Sequence, residues 1–219
     1  MPTLTVGMFS RNQRIRRAAF SHVRTDHMKR LHQVLLIATF LPLCWLAMMV
    51  VHELGHVFAA VLTGGTVERV ILHPLTISRT DVSPNPHPLA VVWAGPFVGV
   101  LLLLAILVVF KTGKIPLTYL VQFFAGFCLI ANGAYIGFGS FSRVGDAGDM
   151  LRHGSPIWCL WLFGVATFPL GLYLWNRLGP YFGLGLAAGK VEHIAAYVSC
   201  ILLILTIILE VALSARASP

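Results

Sequence analysis

Long apolar runs are the feature of this sequence that most constrains its fold. A helix rises 1.5 Å per residue, so about 20 apolar residues cross the roughly 30 Å hydrocarbon core of a bilayer. The chain is 57% hydrophobic and only 11% charged, which leaves too little polar surface for a soluble globular protein. We therefore predict an all-α, polytopic membrane protein with about five transmembrane helices, at residues 34–62, 89–110, 117–136, 157–175 and 194–213.

A short extended segment is predicted between the first two apolar runs. Gly64 and Gly65 end the first helix, and residues 66–81 carry β-branched side chains with partial alternation. Three prolines follow within residues 83–88 and end the extended segment. The sequence thus predicts a β-hairpin after the first helix, and a free strand edge of such a hairpin could bind an unwound substrate strand.

Basic side chains cluster before the first apolar run. Seven of the sixteen Lys and Arg residues lie there, and the net charge of the chain is +8. Next to a transmembrane helix, such a cluster is typical of an arm that binds an anionic membrane surface, and we expect no nucleic-acid partner. We predict three parts: a basic surface arm (1–33), a membrane core (34–155) and C-terminal transmembrane helices (156–219).

Residues 52–56 read His-Glu-Leu-Gly-His, an HExxH motif inside the first apolar run. Positions i and i+4 of a helix share a face, so His52 and His56 can bind one tetrahedral zinc ion. Zinc lowers the pKa of a water to about 7, and Glu53 is placed to take its proton. These polar side chains are costly in lipid unless they pair, face a cavity or bind a metal. The motif therefore predicts Zn²⁺ on His52 and His56, with Glu53 as the catalytic residue.

A catalytic zinc ion usually has three protein ligands, so a third ligand must come from another segment. Asp146 and Asp149 are the acidic residues between Asp81 and Glu192, and they lie in a polar, glycine-rich segment predicted as a loop at residues 137–155. A helix N-cap would also account for an aspartate at such a junction. We favour Asp146 as the third ligand and keep Asp149 as the alternative.

Several motifs together resemble the site-2 protease family of intramembrane metalloproteases, in particular its compact members. They are Val51 to His56 within a span, the Gly64-Gly65 pair before a hairpin, Ala94-Gly95-Pro96 in the next span, and an aspartate after the third. The resemblance covers roughly residues 45–155. It implies a zinc site within a three-span core and cleavage of peptide bonds in or near transmembrane segments of substrates.

By the same resemblance, Asp146 matches the aspartate ligand of the family, and Asn132 is a candidate substrate-binding residue. The leading hypothesis is a zinc metalloendopeptidase that hydrolyses membrane-protein substrates. The Asn-x-x-Pro and Asp-Gly pattern usual in the family is reduced here to Asn132-Gly133 and Asp146-Ala147. This difference motivates an alternative, a metal-stabilised membrane scaffold that binds hydrophobic partners without cutting them.

The expected location is a cell membrane, the plasma membrane, as a multi-pass protein in contact with the lipid bilayer. The basic arm favours a cytoplasmic N-terminus, which puts the HELGH end of the first span near the opposite face. The family resemblance instead implies a site that opens toward the cytosol. Both orientations stay open, as do the substrate and the oligomeric state.

Overall fold

The fold is a bundle of helices with one small hairpin. The computed structural model describes the backbone of residues 3–217 and the side chains of residues 28–214. Two short 3-10 turns, Gly179–Phe182 and Gly185–Ala187, lie between the last two helices. In chain order the main elements are α1 (Thr3–Leu62), β1 (Val67–Ile71), β2 (Arg79–Val82), α2 (Pro88–Thr112), α3 (Thr118–Ser142), α4 (Gly145–Arg152), α5 (Ile157–Trp175) and α6 (His193–Ala217).

Within the described residues, five helices are long and apolar enough to cross a membrane. They are the Met28–Leu62 segment of α1, then α2, α3, α5 and the His193–Ser214 segment of α6. The predicted fold class, five transmembrane helices with a hairpin after the first, is therefore confirmed. The arm predicted at residues 1–33 stays a prediction, because its side chains up to residue 27 lie outside the described ones.

Helix α3 continues beyond the predicted end of the third span at residue 136 and reaches Ser142. Its last turns pack against α5, where a Cβ on Gly137 would lie 3.4 Å from Gly164 Cα. Trp161 Nε1 also donates a hydrogen bond to Ser140 Oγ at 3.1 Å. Glycine and serine in this stretch suggest a loop, but in membrane proteins small residues also mark helix contacts. The loop predicted at residues 137–155 was therefore wrong. Residues 137–142 belong to α3, and the short helix α4 occupies Gly145–Arg152.

The hairpin pairs β1 with β2 in antiparallel fashion. Val70 lies opposite Thr80, and the register is irregular between Val67 and Arg69. The hairpin packs against α1 and α6, and the Ser214 hydroxyl of α6 donates a hydrogen bond to the Leu72 carbonyl just after β1. The hairpin is thus held between the first and last helices of the bundle.

Glycines allow the closest helix contacts. A Cβ on Gly55 of α1 would lie 2.5 Å from the Ala94 carbonyl oxygen of α2. A Cβ on Gly171 of α5 would lie 2.7 Å from the Gly126 carbonyl oxygen of α3. Packing rather than transfer from water drives helix association in lipid, so such small residues set how near two backbones come.

An aromatic cluster fills the bundle on the N-terminal side of the HELGH motif along α1. Phe123 and Trp175 stack with ring centroids 4.7 Å apart, and Trp175 Nε1 donates to the Phe123 carbonyl at 2.8 Å. Phe40 and Phe182 stack at 6.0 Å. We define the aromatic cluster as Phe40, Tyr119, Phe123, Trp175 and Phe182, whose neighbouring rings contact one another.

Candidate metal centre

The two motif histidines lie side by side on one face of α1. Their ring centroids are 4.8 Å apart with an interplanar angle of 73°, as expected for residues one helical turn apart. His52 and His56 are each 7% exposed, and Glu53 is 4% exposed. Three chemically active side chains of one motif are therefore buried together within a membrane-spanning helix.

Asp146 reaches both histidines from α4. Its Oδ2 atom lies 2.7 Å from His52 Nε2 and 3.3 Å from His56 Nε2. The three ligand atoms all lie within 4.8 Å of one another, and within the described residues this is the only cluster of three His, Cys, Asp or Glu side chains spaced to hold a metal ion. Asp149 instead pairs with Arg152 Nη2 at 2.8 Å and is 45% exposed. The structure brings Asp146, not Asp149, to the motif.

The turn between α3 and α4 places Asp146. Arg143 ends α3 in a left-handed conformation with φ 55°, and Gly145 begins α4 with φ 55°. A side chain at Gly145 would collide with the Tyr135 hydroxyl. That hydroxyl accepts a hydrogen bond from the Asp146 backbone N–H at 3.1 Å. Glycine is needed here both for its positive φ and for the room that Tyr135 requires.

The charge state of Asp146 suits a cation ligand. Burial raises the pKa of a carboxyl because it penalises the charged form. Hydrogen bonds from the His52 and His56 rings, together with their charge, outweigh burial and hold the pKa of Asp146 well below its ordinary value. The carboxylate is therefore ionised at physiological pH.

The outward nitrogen of each imidazole is held by an oxygen acceptor. His56 Nδ1 donates to the Val91 carbonyl of α2 at 2.8 Å. Asn132 Nδ2 donates to the Cys128 carbonyl at 2.9 Å, which turns its Oδ1 to accept from His52 Nδ1 at 2.8 Å. Since Nδ1 keeps its proton in these bonds, loss of the proton on Nε2 would leave a neutral ring with its Nε2 lone pair facing Asp146, the tautomer that a metal requires.

Asn132 is 1% exposed, and both ends of its amide are used inside the protein. Its predicted contact with substrate stays a prediction. The observed contacts give it a different task, which is to orient the His52 ring. A buried amide of this kind fixes both a ring angle and a tautomer.

Two glycines of α2 make room for the centre. A Cβ on Gly95 would lie 2.5 Å from His56 Nε2 and 2.8 Å from His52 Nε2. A Cβ on Gly99, one turn later, would lie 2.9 Å from Asn132 Nδ2. Both positions therefore require glycine so that the backbone of α2 can pass directly beside the histidines and their amide partner.

The Glu53 carboxylate accepts two hydrogen bonds from the hairpin region. Ser78 Oγ donates to Oε1 and Thr80 Oγ1 donates to Oε2, each at 2.7 Å. Both hydroxyl groups are within the segment predicted as a hairpin, but they were not predicted to face the motif.

Four contacts of the centre were missed by the sequence analysis: Ser78, Thr80, Tyr135 and the Val91 carbonyl. A backbone acceptor such as the Val91 carbonyl cannot be recognised from a sequence. Tyr135, three residues after Asn132, resembles any other residue of a transmembrane span. The Ser-x-Thr spacing at residues 78–80 is a usable signal, because alternate residues of an extended segment share a face. None of His73, His87, His153 and His193 joins the metal cluster.

Comparison with known proteins gives one match. Residues 31–136 match a family model described as Peptidase M50B-like. No curated protein and no solved structure matches the chain. The matched segment contains the HELGH motif, the hairpin, α2 and the part of α3 that carries Asn132. The matched segment is therefore similar to the site-2 protease family. The resemblance inferred from the motifs is thus confirmed over residues 31–136, and this similarity implies a membrane-embedded metallopeptidase.

The donor set of the candidate metal centre fits zinc. A tetrahedral ion with ligand distances of about 2.0–2.1 Å separates neighbouring ligand atoms by roughly 3.3 Å. Asp146 Oδ2 and His56 Nε2 are already 3.3 Å apart, whereas Oδ2 and His52 Nε2, at 2.7 Å, would have to separate slightly. Two imidazoles and one carboxylate, with a fourth position left open, are a typical catalytic zinc set.

Proposed function

We propose that the protein is an intramembrane zinc endopeptidase that hydrolyses peptide bonds of membrane-protein substrates. The observation that carries the proposal is the convergence of His52, His56 and Asp146 inside a bundle of membrane-spanning helices. The family match supports a metallopeptidase. Orienting acceptors on both imidazoles further support a site built for a metal rather than a set of chance contacts.

In the proposed mechanism, His52, His56 and Asp146 hold the zinc ion. When bound, zinc supplies Lewis-acid chemistry, which polarises a carbonyl and makes a water more acidic. Glu53 takes the proton of the attacking water at its carboxylate and passes it to the nitrogen of the departing amine. Asn132 and the Val91 carbonyl keep both rings in the required orientation. We keep the hairpin edge as the proposed docking place of an unwound substrate strand.

Replacing the proposed base tests the catalytic part of the proposal. Purified Glu53→Gln protein in liposomes should keep zinc and lose cleavage by about 10²- to 10⁴-fold, because the amide cannot take a proton. His56→Ala protein should lose both zinc and cleavage. The measurements are zinc content per protein and cleavage of a panel of quenched fluorescent transmembrane peptides. Full activity in the Glu53→Gln protein would contradict the proposal.

Variants of Asp146 and Asp149 test which of the two aspartates is the third zinc ligand. Asp146→Asn should lower zinc affinity by about 100-fold or more, because a neutral amide is a poor zinc ligand. Asp149→Asn is the matched control from the same short helix and should bind zinc like the wild type. Competition with a fluorescent zinc chelator measures both. Equal losses in the two variants would contradict the assignment of Asp146.

The scaffold alternative predicts a different result from the same material. It is favoured by the reduced motif, since the Asn-x-x-Pro and Asp-Gly pattern of the family is reduced here to Asn132-Gly133 and Asp146-Ala147. A scaffold would bind zinc in the wild type and would cleave no peptide in the panel. Its Glu53→Gln variant would then be indistinguishable from the wild type in every assay.

We further propose that residues 34–155 form the metalloprotease core and residues 156–219 form a supporting part, after the basic arm of residues 1–33. Helix α5 packs along α3 and helix α6 packs along α1, so both later helices flank the segments that carry the centre. The proposed location of this multi-pass protein is the plasma membrane, with membrane proteins as substrates. Fractionation of a tagged protein tests that location.

A further inference from the structure

Ser78 and Thr80 each donate a hydrogen bond to a different oxygen of the Glu53 carboxylate. The two donor–acceptor distances are both 2.7 Å, the usual length of a hydrogen bond from a hydroxyl to an oxygen. One such bond would leave the carboxylate free to rotate about its own axis. Two bonds to different oxygens define both the position and the plane of the carboxylate.

The local sequence explains why both hydroxyl groups face α1. Ser78 and Thr80 are separated by one residue in an extended segment, so their side chains lie on the same side of it. Arg79 between them points away, since its side chain is 64% exposed and its Nε atom pairs with Asp81 at 3.4 Å. The Ser-x-Thr pattern thus presents two donors to Glu53 and a charged side chain to the outside.

We infer that Ser78 and Thr80 are positioning residues for the general base, and that the hairpin thereby holds Glu53 in its working orientation. This inference rests on the proposed peptidase function. A carboxylate has about four lone-pair directions on its two oxygens, so two hydroxyl bonds leave acceptor capacity for the proton of a water. The arrangement restricts the geometry of Glu53 without using up its capacity as a base.

The position of a general base affects turnover more than substrate affinity. A misplacement of about 1 Å can lower a rate by roughly 100-fold, because proton transfer needs close alignment. Ser78 and Thr80 are not ligands of the metal cluster, so their removal should not disturb zinc. The expected signature is therefore a lower kcat with little change in KM and with full zinc content.

The test compares four proteins reconstituted in liposomes. Ser78→Ala/Thr80→Val removes both hydroxyl groups, and Ser78→Thr/Thr80→Ser keeps both while exchanging the side chains. Thr76→Val, in the exposed turn of the same hairpin, is the matched control for loss of a hydroxyl. The substrate is the member of the transmembrane peptide panel that the wild type cleaves fastest. We expect a drop in kcat of roughly 10- to 100-fold only in the Ala/Val variant, with KM within about twofold of the wild type.

Infrared spectroscopy of the zinc-free proteins gives a second readout that needs no activity. The carboxylate stretch of Glu53 is isolated by subtracting the spectrum of a Glu53→Gln version of each variant. Loss of both donors should displace this band in the Ala/Val variant, whereas the Thr/Ser exchange and Thr76→Val should leave it in place. An undisplaced band in the Ala/Val variant would overturn the inference.

The outcomes separate this inference from the function on which it rests. If the wild type cleaves no peptide, the peptidase proposal fails, while the infrared band still tests the contacts of Glu53. If the wild type cleaves and the Ala/Val variant keeps its kcat, the positioning role is wrong. If the Thr/Ser exchange loses as much turnover as the Ala/Val variant, the hydroxyl groups are not responsible, and the inference is again overturned.

Discussion

The metal centre and the aromatic cluster are both built on α1, yet different forces hold them. Phe40 and His52 are 12 residues apart, or roughly 18 Å along the helix. In the aromatic cluster, rings from four segments fill space, as in the Phe123–Trp175 stack. In the metal centre, each polar side chain has a directional partner, and two glycines of α2 keep the space around it open.

This difference predicts different sensitivities to mutation. Directional contacts fail when a group moves by a fraction of an ångström, and they then change function before they change the fold. Apolar packing tolerates small movements, and its loss appears chiefly as lower stability. Substitutions at the metal centre should therefore alter zinc binding at nearly constant stability. Substitutions in the aromatic cluster should lower stability and leave zinc binding nearly constant.

Gly95→Ala should have the largest effect on zinc binding, and it tests the contrast between the two regions most directly. The new Cβ would lie 2.5 Å from His56 Nε2, so at least one imidazole must leave its position. We expect zinc affinity to fall by about 100-fold or more, although alanine is the better helix former. Zinc titration against a chelator measures the loss. Ala105→Val, on an exposed face of the same helix, is the control, and an equal loss there would point to a general defect of α2.

Asn132→Leu should have an intermediate effect on zinc. The variant keeps the side-chain size and loses the acceptor of His52 Nδ1. Loss of an orienting partner typically lowers metal affinity by roughly 10- to 100-fold. Gln122→Leu is the matched control, since Gln122 on the same helix donates to the Leu174 carbonyl at 2.8 Å, near the aromatic cluster. That variant should bind zinc normally. Normal zinc affinity in the Asn132→Leu protein would refute the orienting role.

The sequence could predict those parts of the centre that lie on one helix. The relative position of the two HELGH histidines follows from their spacing, because residues four apart on a helix share a face. It could also narrow the third ligand to Asp146 or Asp149, but the choice depends on the turn at Arg143 and Gly145 and on the contact with Tyr135. Such tertiary contacts join segments far apart in the chain, and no local pattern encodes them.

The same limit applies to the fold. Apolar runs long enough to span a bilayer predicted five helices, since in lipid every backbone group must be satisfied within a segment. The end of α3 was missed because Gly137 and Ser140 look like loop residues until α5 packs against them. Hydropathy indicates which residues contact lipid. The end of a helix that is buried against another helix depends instead on how the two helices pack.

Phe40→Ala should have the smallest effect on zinc and a clear effect on stability. The ring contacts Phe123 and Phe182 at centroid distances of 5.6 and 6.0 Å, and the side chain is 6% exposed. Its removal leaves a cavity and should lower the free energy of unfolding by roughly 2–3 kcal/mol, less than in water-soluble cores because lipid is itself apolar. Thermal unfolding in detergent measures this loss. Zinc affinity should stay within about twofold of the wild type, because no ligand or orienting group of the centre contacts this ring. A tenfold loss of zinc affinity would show that the two regions of α1 are coupled, and the contrast between them would then be wrong.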